Sequence, residues 1–161
     1  MRYKSFARVL ALDLHPRHFG YVVVEGRDSL LDWGVRSYRH KRNSADVLIR
    51  GRLGPLLALW RPSVVVLHDP LSIRTPNPPT SKLLKKQIIK AAKDQRARVQ
   101  ILKKRPTDRA ERVTKYERAQ AVVQRFPVLT RKLPPKQKPW ESEDYRMSMF
   151  AAAALAMAYL H

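Results

Sequence analysis

The sequence has no cysteine, only 5 glycines in 161 residues, and 13 acidic side chains against 33 Lys and Arg. Without cysteine there are no disulfides, no thiolate nucleophile and no Cys-ligated zinc or iron–sulfur centre, so any chemistry falls to carboxylates, imidazoles and hydroxyls. Scarce glycine and a 44% apolar content exclude a flexible low-complexity chain and leave enough hydrophobic surface for one core, so residues 1–161 are expected to form one domain. The shortage of acids leaves a formal charge of +20, which points to a polyanionic partner. A long apolar run is also missing. The longest, residues 147–160, is shorter than the roughly 20 residues a bilayer span needs and lies at the wrong end for a signal peptide. A cytoplasmic protein without membrane contact is expected.

What is present is unevenly spread. Residues 1–69 carry a net +6, residues 70–140 a net +16 and residues 141–161 a net −2. Residues 9–14 are apolar on both faces and read as a strand buried from both sides. Residues 19–25 and 30–38 follow as strands, separated by Gly26-Arg27-Asp28 as a hairpin turn, so the first three strands form an antiparallel meander. Residues 44–60 have helical periodicity that Gly54-Pro55 should kink or divide, and Arg61-Pro62 stops it. Residues 63–67 read as a second doubly buried strand, reached by a parallel crossover. Ser81 is the expected cap of the next helix, residues 99–103 the fifth strand, Thr114 the cap of a helix through Arg125, and residues 144–160 a last helix that is apolar nearly all round and must be buried. The order βββαβαβα describes an α/β mixed sheet flanked by helices.

Asp13 is the local oddity, because an ionised carboxylate in an apolar strand costs several kcal/mol unless a cation or donor meets it. Asp69 repeats the pattern at the end of the fourth strand. If these strands are parallel neighbours, both carboxylates reach the sheet edge where open α/β sheets bind ligands. A divalent cation with oxygen ligands would relieve their repulsion. Taken singly, each Asp also reads as a turn residue, Asp13 before His15-Pro16 and Asp69 before Pro70.

Val9-Leu10-Ala11-Leu12-Asp13, Val64-Val65-Val66-Leu67-His68-Asp69, and an Ala-rich closing helix preceded by Glu141-Ser142-Glu143-Asp144 occur in an order that resembles the RNase H-like superfamily, and within it the RuvC-like Holliday junction resolvases and the related YqgF group. The resemblance covers nearly the whole chain. It implies a five-stranded sheet of order 3-2-1-4-5 with strand 2 antiparallel, Asp13 as first metal ligand, and Asp69 as second, where resolvases usually carry Glu. It also places acids at Ser148 and Ala151, where this chain has none. Three explanations stand side by side: Asp144 or Glu143 takes over, the site is a degenerate binding module, or an acid at 151 was removed. Acids at 141–144 would also serve as ordinary helix capping.

The resemblance implies Mg²⁺- or Mn²⁺-assisted phosphodiester hydrolysis by two metal ions. Lys115 would approach the scissile phosphate, and Arg74, Lys85, Lys86, Lys103, Lys104, Arg105, Arg109, Arg131, Lys132, Lys136 and Lys138 are candidate phosphate contacts. Ile73 stands where such resolvases insert a residue at the junction centre, and His15, His18 and His68 are candidate proton carriers. The expected function is a structure-selective endonuclease on four-way DNA junctions, as a homodimer because symmetric cleavage needs two active sites. The alternatives are an RNA-processing nuclease of the YqgF kind and a non-catalytic nucleic-acid binder.

Overall fold

The computed structural model describes residues 7–15, 17–38, 44–68, 78–102, 114–138, 140–142 and 144–160, with the backbone alone for residues 44 and 78–83. Strands β1 (Arg8–Leu14), β2 (His18–Glu25) and β3 (Ser29–Ser37) form the expected meander, turning at Gly26 with φ 64°. β4 (Val64–His68) and β5 (Arg98–Leu102) complete a five-stranded sheet of order β3-β2-β1-β4-β5. β1 is antiparallel to β2 and parallel to β4, and β4 is parallel to β5. This is the order and polarity expected.

Between β3 and β4, a turn of α-helix (Ser44–Asp46), a π-helix (Val47–Leu53) and an α-helix (Gly54–Trp60) follow one another and together make α1. The expected division at Gly54-Pro55 is present as a change of helix type, from π up to Leu53 to α from Gly54. Pro55 has no N–H, and its ring would strike the carbonyl one turn back; the wider π turn makes room, and the Gly54 N–H donates to the Ile49 carbonyl, five residues back. A Cβ at Gly54 would stand 2.9 Å from that oxygen.

Helix α2 spans Pro78–Asp94, three residues ahead of the expected Ser81 cap. Proline at a first helical position sacrifices no bond, since that N–H has no intrahelical acceptor. Helix α3 (Lys115–Arg125) is followed by a 3₁₀ turn (Pro127–Lys132), and α4 spans Met147–Leu160. Among the described residues no helix is long and apolar enough to cross a membrane.

Strand alternation splits the core in two. Leu10, Leu12, Phe19, Tyr21, Val23, Val65 and Leu67 face α1 and α2, meeting Leu48, Leu53, Leu57, Ile88 and Ala92. Val9, Ala11, Val22, Val24, Val64 and Val66 face α3 and α4, meeting Ala119, Val122, Phe150, Ala153 and Ala156. Each fully buried aliphatic or aromatic side chain contributes roughly 1.5–3 kcal/mol.

Candidate active site

Asp13 follows Val9 and Ala11 by alternation, so it belongs to the face covered by α3 and α4. Its cross-strand partner is Gly20. A Cβ there would lie 2.1 Å from the carbonyl carbon and oxygen of Ser148 and 2.3 Å from the Met149 nitrogen. The absence of a side chain at Gly20 therefore brings the first turn of α4 down onto the sheet beside Asp13. Among the described residues, Asp13 and Ser148 are the buried polar side chains.

A cleft of about 110 Å³ opens at the carboxyl end of β1. Asp13, Leu14 and His15 line it from the strand, Lys115, Arg118 and Ala119 from α3, and Met147, Phe150, Ala151 and Ala154 from α4. The carboxylate is held from one side: His15 Nε2 lies 2.7 Å from Asp13 Oδ2. His15 is itself fixed, its N–H donating to the His18 carbonyl at 2.9 Å and its ring stacked on His18 at 4.7 Å and 7°. The Tyr38 hydroxyl donates to the His15 carbonyl. Burial pushes that phenol up to about 12, so it remains a donor throughout the physiological range.

On the other wall, α3 starts where the sequence says it should. Thr114 Oγ1 accepts from the Glu117 N–H and Glu117 Oε2 from the Thr114 N–H, both at 3.1 Å, a reciprocal capping box. The cap sets Lys115 at the first helical position and Arg118 one turn on, both toward the cleft. Two cations opposite a buried carboxylate suit a phosphate drawn in beside it.

Position 151, where the resemblance places an acid, does line this cleft, with a methyl group. Ser148 does not share that role: it packs on Gly20, and its Oγ donates to the Tyr145 carbonyl at 2.8 Å. The last helix begins at Met147, which corrects the expected start at residue 144. Asp144 is engaged locally. Its Oδ1 accepts from the Arg146 backbone at 2.9 Å, and its two oxygens take the Arg146 guanidinium at 3.0 and 2.8 Å. The carboxylate thereby satisfies a backbone donor just ahead of the helix, as a cap does. The Arg146 guanidinium holds the Asp144 carboxyl below the usual carboxylate range. Asp144 is not among the residues lining the cleft.

Asp69, Glu143, Ile73, Arg74, Lys103, Lys104, Arg105 and Arg109 lie outside the described residues. The register pairs Leu12 with Leu67, so the next neighbours are Asp13 and His68. His68 therefore sits on Asp13's face, a placement only the register reveals. Arg118, unlike His68, was not singled out from the sequence, although its spacing from Lys115 on a capped helix was a usable signal. Among the described residues, the candidate phosphate contacts of the basic middle lie on more than one surface. Lys85 and Lys86 are on α2, across the sheet from the cleft, whereas exposed Arg131, Lys132, Lys136 and Lys138 follow α3.

Among the described residues no three His, Asp or Glu side chains gather as a metal site. Magnesium keeps several waters and is often held by one or two carboxylates together with substrate phosphates. Asp13 fits the part of an anchoring ligand, and the described residues do not complete the set.

No protein-family model matches the chain, and no curated protein matches it. Solved structures do share its fold. Thermus thermophilus RuvC superposes with a TM-score of 0.64 at 20% identity, over 93% of this chain and 91% of that one. The Fowlpox virus resolvase bound to Holliday junction DNA gives 0.54 at 13%, over 95% and 98%. The yeast mitochondrial Holliday junction resolvase Ydc2 gives 0.57 at 18%, over 97% and 78%. The fold is the RuvC-like variant of the RNase H architecture.

Proposed function

We propose that this chain binds branched DNA in the manner of a Holliday junction resolvase, as a homodimer, with Asp13 anchoring Mg²⁺ or Mn²⁺ in the cleft. The observation that carries the reading is the buried Asp13 facing Lys115 and Arg118 across an open cleft at the carboxyl end of β1. Asp69 and an acid from 143–144 are the further ligands proposed, and Asp144 would first have to leave Arg146. Divalent ions held there would activate water and stabilise the leaving oxygen of a phosphodiester. The chain's own part is to orient Asp13 through His15, to draw a phosphate toward Lys115 and Arg118, and to keep the inner wall apolar with Phe150, Ala151 and Ala154.

Ala151 favours a second reading within the same site, a module that binds junctions and cleaves them slowly, since a methyl group supplies no oxygen to an ion. Labelled four-way junctions and structured RNA incubated with Mg²⁺ distinguish the possibilities. The account expects tight junction binding by the wild type, a gain of paired symmetric nicks in Ala151→Asp, and loss of that gain when Asp13→Asn is added. Cleavage confined to RNA would replace the DNA reading by the RNA-processing one. Binding must weaken steeply with salt, and Lys115→Ala should lower the slope of log K against log salt by about 1.

A further inference from the structure

Trp140 is 78% exposed and Tyr145 64% exposed, although neither belongs to the cleft. Large aromatic side chains left in water mark interaction sites when something holds them there. Here the backbone does. The Glu141 N–H donates to the Lys138 carbonyl at 3.0 Å, and the Lys138 N–H to Glu141 Oε2 at 3.3 Å. Just outside that turn the Gln137 side-chain amide donates to the Ser142 carbonyl. Trp140 therefore projects from a braced turn. The Lys138 ammonium lies 5.6 Å from its ring centroid, and Lys136, Lys132 and Arg131, all exposed, precede it in the chain. Among the described residues, the nearby acids Glu141 and Asp144 have internal partners, the Lys138 backbone and Arg146.

A rigid exposed indole among cations matches the chemistry of a nucleobase and its phosphate, where stacking supplies affinity without sequence preference and lysines meet the backbone. A base inside a duplex is already stacked, so the fitting partner is an unpaired one. We propose that Trp140, with Lys138 beside it, is a stacking platform for an unpaired nucleobase of a DNA strand. The proposal rests on the DNA-binding reading above. The chain from Trp140 to Met147, which lines the cleft, can extend over no more than about 25 Å, so the platform stands within reach of a strand leaving the cleft.

The test is fluorescence anisotropy of labelled oligo-dT and of a blunt duplex of equal length, with the wild type, Trp140→Ala and Trp140→Phe. Trp140→Ala should weaken oligo-dT binding about five- to hundredfold and leave duplex binding unchanged, and Trp140→Phe should restore most of the loss. Equal effects of Trp140→Ala on both ligands, or no effect on either while the wild type binds both, would overturn the platform and leave the DNA reading standing. Failure of the wild type to bind oligo-dT would overturn the platform, and failure to bind four-way junctions as well would overturn the DNA reading. A change from dimer to monomer in Trp140→Ala by sedimentation would reassign the indole to a contact between copies and overturn the platform.

Discussion

The two faces of the sheet are filled by different kinds of side chain, and the cleft beside Asp13 opens on the face of the smaller ones. Toward α1 and α2, β1 and β2 present Leu10, Leu12, Phe19, Tyr21 and Val23. Toward α3 and α4 the same strands present Val9, Ala11 and Asp13, and Val24, Val22 and Gly20. Large residues fill the first layer, where the polar groups of these strands are paired: the Tyr21 hydroxyl donates to Asp32 at 3.2 Å, and Arg8 meets Glu25 at 2.8 Å at the layer's end. Small residues on the second face let an Ala-rich helix approach to backbone contact at Gly20. Beside that contact, Ala151 and Ala154 leave open space next to Asp13. The lesson is that the site is made by the absence of side chains, at Gly20, Ala151 and Ala154, as much as by the presence of Asp13.

The largest break in that comparison comes from the filled face. Phe19→Ala should cost about 3–5 kcal/mol in urea unfolding, and its folded fraction should still bind junctions, because the residue is remote from the cleft face. Gly20→Ala should cost about 1–3 kcal/mol, toward the upper end because the new methyl meets backbone that cannot rotate away. Unlike Phe19→Ala it should also impair junction binding by displacing α4. A Gly20→Ala variant with wild-type stability would show that α4 does not sit where the comparison requires. Thr114→Ala should cost about 1 kcal/mol by removing half of the capping box, and should weaken junction binding modestly through Lys115.

The smallest effect is a pH dependence. Asp144 has a folded-state pKa below its unfolded value, so its pairing with Arg146 stabilises above the ordinary carboxylate value of about 4 and is lost as the pH falls through the folded value. Arg146→Gln should therefore be slightly less stable than the wild type at neutral pH, with the gap closing on acidification. A gap that widened in acid would contradict the assignment.

The meander and the parallel crossover were legible from two doubly apolar strands and a hairpin turn, whereas the strand order was implied by the resemblance to the RNase H-like superfamily. The start of α3 was legible because Thr114 and Glu117 stand at capping-box spacing. The start of α4 was not. Asp144 reads as a first-turn acid, and only the structure reveals that Arg146 two residues on takes its carboxylate. The π segment of α1 was half visible, since Gly54-Pro55 announced a disturbance but not its form. Asp13 stood out by being charged among apolar neighbours, whereas His15's hold on it depends on the chain doubling back after β1. The division of the basic residues between two faces was hidden, because helix α2 and the segment after α3 are both lysine-rich and composition carries no side.

The central claim is that Asp13 anchors a divalent ion in the cleft. Titrating Mn²⁺ into wild type and Asp13→Asn, followed by the paramagnetic resonance of the free ion, tests it without reference to cleavage. The account predicts saturable binding by the wild type that Asp13→Asn abolishes while circular dichroism stays unchanged; equal Mn²⁺ uptake by the two folded proteins would contradict it.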